Sequence, residues 1–171
     1  QHLPEIDNSS LTKGPKYQPV STLGKLKFRA GICFELIFGD ELRVTASDYD
    51  VFIHISDLGW FNGTPVAFHM LQMARMRAIE LSKPVLRATN FGISSVIDHR
   101  GQVLGQINEQ VEQYFDVNVT SQKGLTPYVR FGSTPLVWGL LVVYLILVVR
   151  RIVFLNYKLK PYLGWLEKKY E

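Results

Sequence analysis

Residues 50–107 read DVFIHISDLGWFNGTPVAFHMLQMARMRAIELSKPVLRATNFGISSVIDHRGQVLGQI, and their hydrophobic patterning decides the fold class. Residues 50–56 are a short apolar run rich in β-branched side chains, whereas residues 66–82 place apolar side chains at helical spacing. Residues 85–89, 93–97 and 103–107 then read as successive strands, with the turn Asp98-His99-Arg100-Gly101 joining the last two as a hairpin. Strand, helix, strand and hairpin predict an α/β layer structure with a mixed sheet. Working outward, LKFRAGIC (residues 26–33) is strand-like, residues 36–43 are a helical stretch, and residues 114–119 are a further strand. Residues 1–23 are rich in Pro, Ser and Lys without periodicity and read as loop.

The 171 residues, 47% hydrophobic and 12% aromatic, are enough for one packed domain and exclude a mainly disordered chain. A single cysteine, Cys33, excludes an internal disulfide and any multi-cysteine metal site. His2, His54, His69 and His99 show no ligand spacing, so no metal is expected, and no cofactor either. The chain starts at Gln1 without an initiator Met or a signal-like segment, and reads as a processed product or a fragment.

Pro135 opens PLVWGLLVVYLILVV, fifteen residues without a charge, followed by Arg150, Arg151 and IVFL. As one helix, residues 136–155 extend about 30 Å at about 1.5 Å per residue, close to the hydrocarbon thickness of a bilayer. Fifteen uncharged residues also suit a buried core helix, which is the alternative; in a span the two arginines lie near one end, where their stems can snorkel to the headgroups. Lys158, Lys160, Lys168 and Lys169 follow, with Trp138, Tyr144, Tyr157, Tyr162 and Trp165 along and beyond the span. Basic residues after a span mark the cytoplasmic side, so residues 1–134 are expected outside, in the periplasm if the cell is a bacterium. Much of the net charge of +4 thereby belongs to a membrane flank, and no nucleic-acid partner is called for. The expected organisation is a soluble domain over 1–134, a transmembrane helix over 135–157 and a basic tail over 158–171.

The strongest local signal for chemistry is Gly31-Ile32-Cys33-Phe34-Glu35, a cysteine at the end of a strand and before a helical stretch. A sharp strand-to-helix turn exposes a nucleophile and leaves backbone N–H groups free for an oxyanion. Spacing alone leaves the alternative open, because a free cysteine is also a common small buried residue. Glu35 either tunes the thiol, holds the loop or is an ordinary helix-start carboxylate. His54 and His69 are open as a base for the thiol or as structural polar groups. Met70, Met73 and Met76 read as one core-packing stripe, and Asn8, Asn62 and Asn118 match the glycosylation pattern, which arises often by chance. Residues 56–61, SDLGWF, form a loop after a strand whose Trp60–Phe61 pair suits either an apolar ligand or a plug over the core.

Taken together, GICFE with the following LIFGDELR, then ISDLGWF, HMLQMARMRAIELSKPVLRATNFGISSVIDHRGQV, and GLTPYVRFG ahead of the apolar run resemble the carbon–nitrogen hydrolase (nitrilase) superfamily, and within it the bacterial apolipoprotein N-acyltransferases. The resemblance covers roughly residues 13–155. It implies part of a nitrilase-like αββα sandwich followed by one transmembrane helix, with the soluble domain on the periplasmic face of the inner membrane. It further implies transfer of an acyl chain from a phospholipid donor to a diacylglyceryl-apolipoprotein acceptor. By the same resemblance Cys33 is the nucleophile that forms a thioester, which suits a ping-pong scheme. Glu35 supports activity without being the general base, the Phe34 N–H serves the oxyanion, and Phe34 and Trp60 lie near the acyl chain. The family's general-base Glu and oxyanion-stabilising Lys belong upstream of Gln1. Glu5, Lys13 and Lys16 sit in the wrong context and read as loop charges, so the chain alone is expected to be inactive. Asp57 stands where the relatives usually carry Asn. The rival readings are a membrane-anchored amidase of the same superfamily and a non-catalytic anchored binding module.

Overall fold

The computed structural model describes residues 14, 15 and 17–170, with side chains described as far as Lys158. His2, Glu5, Asn8, Lys13 and Lys16, and the side chains of Lys160, Tyr162, Trp165, Lys168 and Lys169, lie outside the described residues. Six strands form one sheet in sequence order: β1 (Ser21–Leu23), β2 (Leu26–Ile32), β3 (Val51–Asp57), β4 (Val85–Asn90), β5 (Ser94–Ile97) and β6 (Val103–Ile107). The pairs β2–β3 and β3–β4 are parallel and the rest antiparallel, so the sheet is mixed, as the periodicity implies. The short helix α1 (Gly39–Arg43) lies between β2 and β3, and α2 (Val66–Leu81) connects β3 to β4.

Two strand readings are corrected. Residues 21–23, read as loop, form β1, because Gly24 at φ +61° opens a two-residue turn that brings Leu23 opposite Leu26. Residues 114–119, read as a strand, join no ladder. Their alternating aromatic and β-branched side chains are used in packing instead: a Cβ at Gly105 of β6 would meet the Phe115 ring at 2.6 Å and Val117 at 3.2 Å. The hairpin at residues 98–101 is present, with the Asp98 carboxylate accepting the N–H groups of Arg100 and Gln102 at 2.9 and 2.7 Å and Gly101 at φ +78°.

The core lies on one face of the sheet, under α2. Phe52 of β3, Val85 of β4 and Ile97 of β5 stand in register and meet Met70, Leu71, Ala74, Ala78 and Leu81 of α2. Leu36 and Leu42 join them from the segment after β2. The methionine stripe is also corrected: Met70 is buried and Met73 packs at the core's edge, but Met76 is exposed. Residues three apart drift by about 60° on a helix, so six residues carry the third methionine out of the apolar arc. The helix ends at Ser82 with φ +52°, where the Lys83 N–H returns to the Ala78 carbonyl and Pro84 prevents continuation.

Arg29 of β2 is buried on the same face, and its guanidinium donates to the carbonyls of Glu41 and Leu42 and to Thr45 Oγ1 at 2.7–3.2 Å. This closes the C-terminal end of α1, whose last carbonyls have no partner within the helix. The first compact unit extends to Arg130, with α3 (Pro127–Phe131) at its boundary. The second contains α4 (Thr134–Tyr170), in which Thr134–Lys158 is long and apolar enough to cross a membrane.

Gly31 is the tightest point beneath the strand end that carries Cys33. A Cβ there would lie 2.6 Å from the Phe52 ring, itself fully buried. In the full-length protein, Gly31→Ala is expected to cost about 1–3 kcal/mol by overpacking. A lowered Tm in detergent checks this, and an unchanged Tm would mean that the strand end yields freely.

Candidate active site

The parallel strands β2, β3 and β4 end together, and the loops that follow them build the site. After β2 the backbone turns sharply at Cys33, whose φ of +51° lies in the left-handed region. Such a conformation is uncommon in a residue with a Cβ and costs of order 1–3 kcal/mol, so it persists only where the surroundings impose it. Cys33 begins a 3₁₀ turn, Cys33–Ile37, and its side chain is partly accessible rather than sealed as core filler. Cys33 and Phe34 occupy the first two positions of this turn, where backbone N–H groups have no partner within the helix.

Two side chains hold the turn. Glu35 Oε2 accepts the Ile32 N–H at 2.6 Å, so the carboxylate clamps the residue before Cys33 from two residues after it. Among the alternatives for Glu35, this is the loop-holding one. His54, fully buried on β3, donates from Nε2 to the Cys33 carbonyl at 2.8 Å. Its bond is to the backbone of Cys33 and not to the thiol, and His69 is exposed on α2.

Burial depresses the His54 pKa below the usual imidazole value; the Cys33 carbonyl opposes that effect, and the nearby Arg87 charge adds to it. The ring is therefore neutral at pH 7, with its proton on Nε2, since a carbonyl accepts there. Arg87, which pairs with His54 in the β3–β4 register, was not singled out by sequence reasoning. It is 3% exposed, and Nε, Nη1 and Nη2 have no hydrogen-bond partner among the described residues. Burial lowers its pKa to about 10, leaving it charged at neutral pH. The signal for it was present in VLRATN, where alternation places Arg87 on the same face as Val85.

The aromatic loop follows β3. Asp57 Oδ1 accepts the Gly59 N–H at 2.8 Å, and Gly59–Phe61 form a second 3₁₀ turn. The oxygen of an Asn side chain at position 57 would serve the same turn. Phe61 packs edge-on against Phe34, with ring centroids 6.1 Å apart and planes at 80°, joining this loop to the cysteine turn. Trp60 points to solvent at 63% exposure. Ile32, Phe34, Phe38 and, after β4, Phe91 are also exposed, so the strand ends around Cys33 carry an apolar rim.

The neutral, buried His54 has a consequence for stability. Its folded pKa lies below the unfolded value of about 6.5, so the unfolded chain binds the extra proton as the pH falls through that value. The His54 contribution is complete above about pH 6.5 and declines below it. In the full-length protein, lowering the pH from 7.5 to 5.5 is expected to lower Tm, and His54→Gln to shrink that drop. An equal pH response in the variant would mean that other groups carry it.

The carbon–nitrogen hydrolase family model matches residues 2–125. The chain is 38% identical over 140 residues to the apolipoprotein N-acyltransferase of Haemophilus influenzae, covering 81% of this chain and 27% of the relative. It is 35% identical over 129 residues to that of Photobacterium profundum, covering 75% and 25%. The chain thus spans about a quarter of the length of these curated relatives. Among solved structures, Saccharomyces cerevisiae Nit3, a member of branch 10 of the nitrilase superfamily, matches with a TM-score of 0.52 at 23% identity, covering 61% of this chain and 41% of that one, which is a likeness of fold. Because the family model covers most of its length, the chain belongs to the carbon–nitrogen hydrolase family.

Proposed function

We propose that this chain supplies the nucleophile-bearing part of an apolipoprotein N-acyltransferase, which moves a fatty acyl chain from a phospholipid to the N-terminal amine of a diacylglyceryl-apolipoprotein. The observation that carries the reading is the Cys33 turn, held in a left-handed conformation by His54 and Glu35 and ringed by exposed apolar side chains. The similarity to the named acyltransferases selects this chemistry within the family.

In the first step the Cys33 thiolate attacks the ester carbonyl of the phospholipid. A C–S bond forms, the ester C–O bond breaks, and the lysophospholipid oxygen leaves with a proton. In the second step the acceptor amine attacks the thioester, an amide C–N bond forms, the C–S bond breaks, and the amine proton is given up as the thiolate is regenerated. Covalent catalysis of this kind lets two lipid substrates use one site in turn. The N–H groups of Cys33 and Phe34 at the start of the 3₁₀ turn suit the oxyanion formed in each step. Glu35 acts by fixing the turn, while a glutamate base and a lysine from the part of the protein preceding this chain complete the machinery. On its own the chain is inactive in this reading.

Phe34 and Trp60 contact the acyl chain, the Thr134–Lys158 segment anchors the domain in the bacterial inner membrane, the domain faces the periplasm, and the C-terminal tail is cytoplasmic. Phospholipid, apolipoprotein and membrane are the partners.

Intact mass spectrometry of the full-length protein purified from membranes is expected to find a hydroxylamine-labile acyl adduct on the Cys33 peptide. Cys33→Ala should abolish the adduct and lower turnover by at least about a thousandfold, and Cys33→Ser should come close to it, because an alkoxide forms far less readily than a thiolate. Acylation that persists in Cys33→Ala would remove this residue from the role. Release of the acyl group to water in preference to the peptide amine would turn the assignment to an amidase. Trp60→Ala, which loses a largely exposed ring, is expected to leave Tm unchanged while raising KM for long-chain donors about tenfold. Equal effects on short and long chains would place Trp60 away from the acyl path.

A further inference from the structure

At the end of the sheet opposite Cys33 lies a cleft of about 610 Å³. Its walls come from the starts of the parallel strands: Lys25 and Lys27 at β2, Tyr49 and Asp50 before β3, and Lys83 before β4, with Lys123 from the segment that crosses over them. The seven residues of β2 separate it from the cysteine turn by about 20 Å, so it is a different site from the one described above.

The charge in the cleft is unbalanced. Among the described residues, none of the four lysines has a carboxylate within ion-pair distance; the ion pairs are Arg43–Asp40 and Arg77–Glu80. The two acidic residues in the wall are engaged locally, Asp50 Oδ2 accepting the Lys27 N–H at 3.1 Å and Asp48 Oδ1 the Ser47 hydroxyl at 2.8 Å.

Two groups at the floor point further. Lys83 is 3% exposed, and its ammonium donates to the Gln122 carbonyl at 2.9 Å, which uses one of its three hydrogens. Burial lowers the Lys83 pKa, with Asp50 opposing, as expected for a cation short of a counter-charge. Tyr49 is 1% exposed and its hydroxyl has no partner among the described residues. A buried ammonium with hydrogens to spare and a buried phenol without a partner, under three exposed ammonium groups, form a donor set that outnumbers the two carboxylates of the wall.

We propose that this cleft binds a phosphate-bearing group, held by the Lys25, Lys27, Lys83 and Lys123 ammonium groups and the Tyr49 hydroxyl. Several point-charge donors around one centre suit a multiply charged oxyanion. The volume exceeds that of inorganic phosphate and leaves room for an ester substituent, so the phosphate belongs either to a lipid headgroup or to a small soluble molecule. Binding there relieves the mutual repulsion of the four lysines and ties residues 121–125 to the strand starts.

The test uses the full-length protein in detergent, carrying Cys33→Ala so that no lipid is turned over. Inorganic phosphate, glycerol phosphate and dihexanoyl phosphatidylglycerol are titrated separately by calorimetry, against that protein and against the same protein with Lys27→Gln and Lys123→Gln, both exposed positions. A saturable site weakened at least about tenfold by the double substitution is expected. If inorganic or glycerol phosphate fills it, the source is soluble; if only the phosphatidylglycerol does, the source is a lipid headgroup. A ligand that binds both proteins equally, or no binding by any of the three, overturns the proposal. The double variant's Tm and Cys33-independent fold are checked by thermal unfolding, and Lys83→Met, which removes the buried charge, is expected to abolish the same site while raising Tm in the absence of ligand.

Discussion

A hydrogen bond from the buried His54 ring to the carbonyl of Cys33 joins the middle of the sheet to the turn that carries this partly accessible cysteine. The turn needs it, because Cys33 sits at a φ of +51°, where a side chain is strained and a relaxed loop would not stay. His54 can do this only because β3 is buried between β2 and β4, with Gly31 and Arg87 as its partners in register. Gly31 in turn has to be glycine, since the Phe52 ring fills the space a Cβ would take. The rigidity of the core is thereby delivered to one backbone carbonyl.

The same row of residues sets the electrostatics behind Cys33. Arg87 is a buried cation, and its presence together with burial keeps His54 neutral, so the ring serves as a fixed donor. Glu35 supplies the matching constraint from the other side, through the N–H of Ile32. Both side chains shape the turn through its backbone, and Cys33 stays partly accessible on a turn whose neighbours Ile32 and Phe34 are exposed.

The opposite end of the sheet is built with another chemistry. There the strand starts gather lysines, and Lys83 is buried by the segment that leads on to α3. That segment is fastened again where the Thr126 hydroxyl donates to the Glu80 carbonyl of α2 and accepts the Val129 N–H. One domain thus carries an apolar, strained end and a cationic end, about the length of a strand apart.

Much of this was legible in the sequence. Alternation in residues 50–56, helical spacing in 66–82 and the 98–101 turn determined the elements and their mixed sheet, because periods of two and 3.6 residues follow directly from which face is buried. The uncharged run from Pro135 determined an apolar helix of membrane-spanning length in the same way. Composition at the end of β2 placed Cys33, Phe34 and Glu35 at a turn. What spacing left open was whether Cys33 is filler or exposed, whether Glu35 is a surface charge or a clamp, and whether His54 meets the thiol or the backbone. Those outcomes depend on strand register, which brings residues 31, 54 and 87 side by side although they are distant in the chain. Residues 114–119 failed as a strand because their pattern states only a preference for an extended packed form, and the tertiary structure meets it by laying Phe115 and Val117 against Gly105 of β6 instead of pairing them with a strand edge.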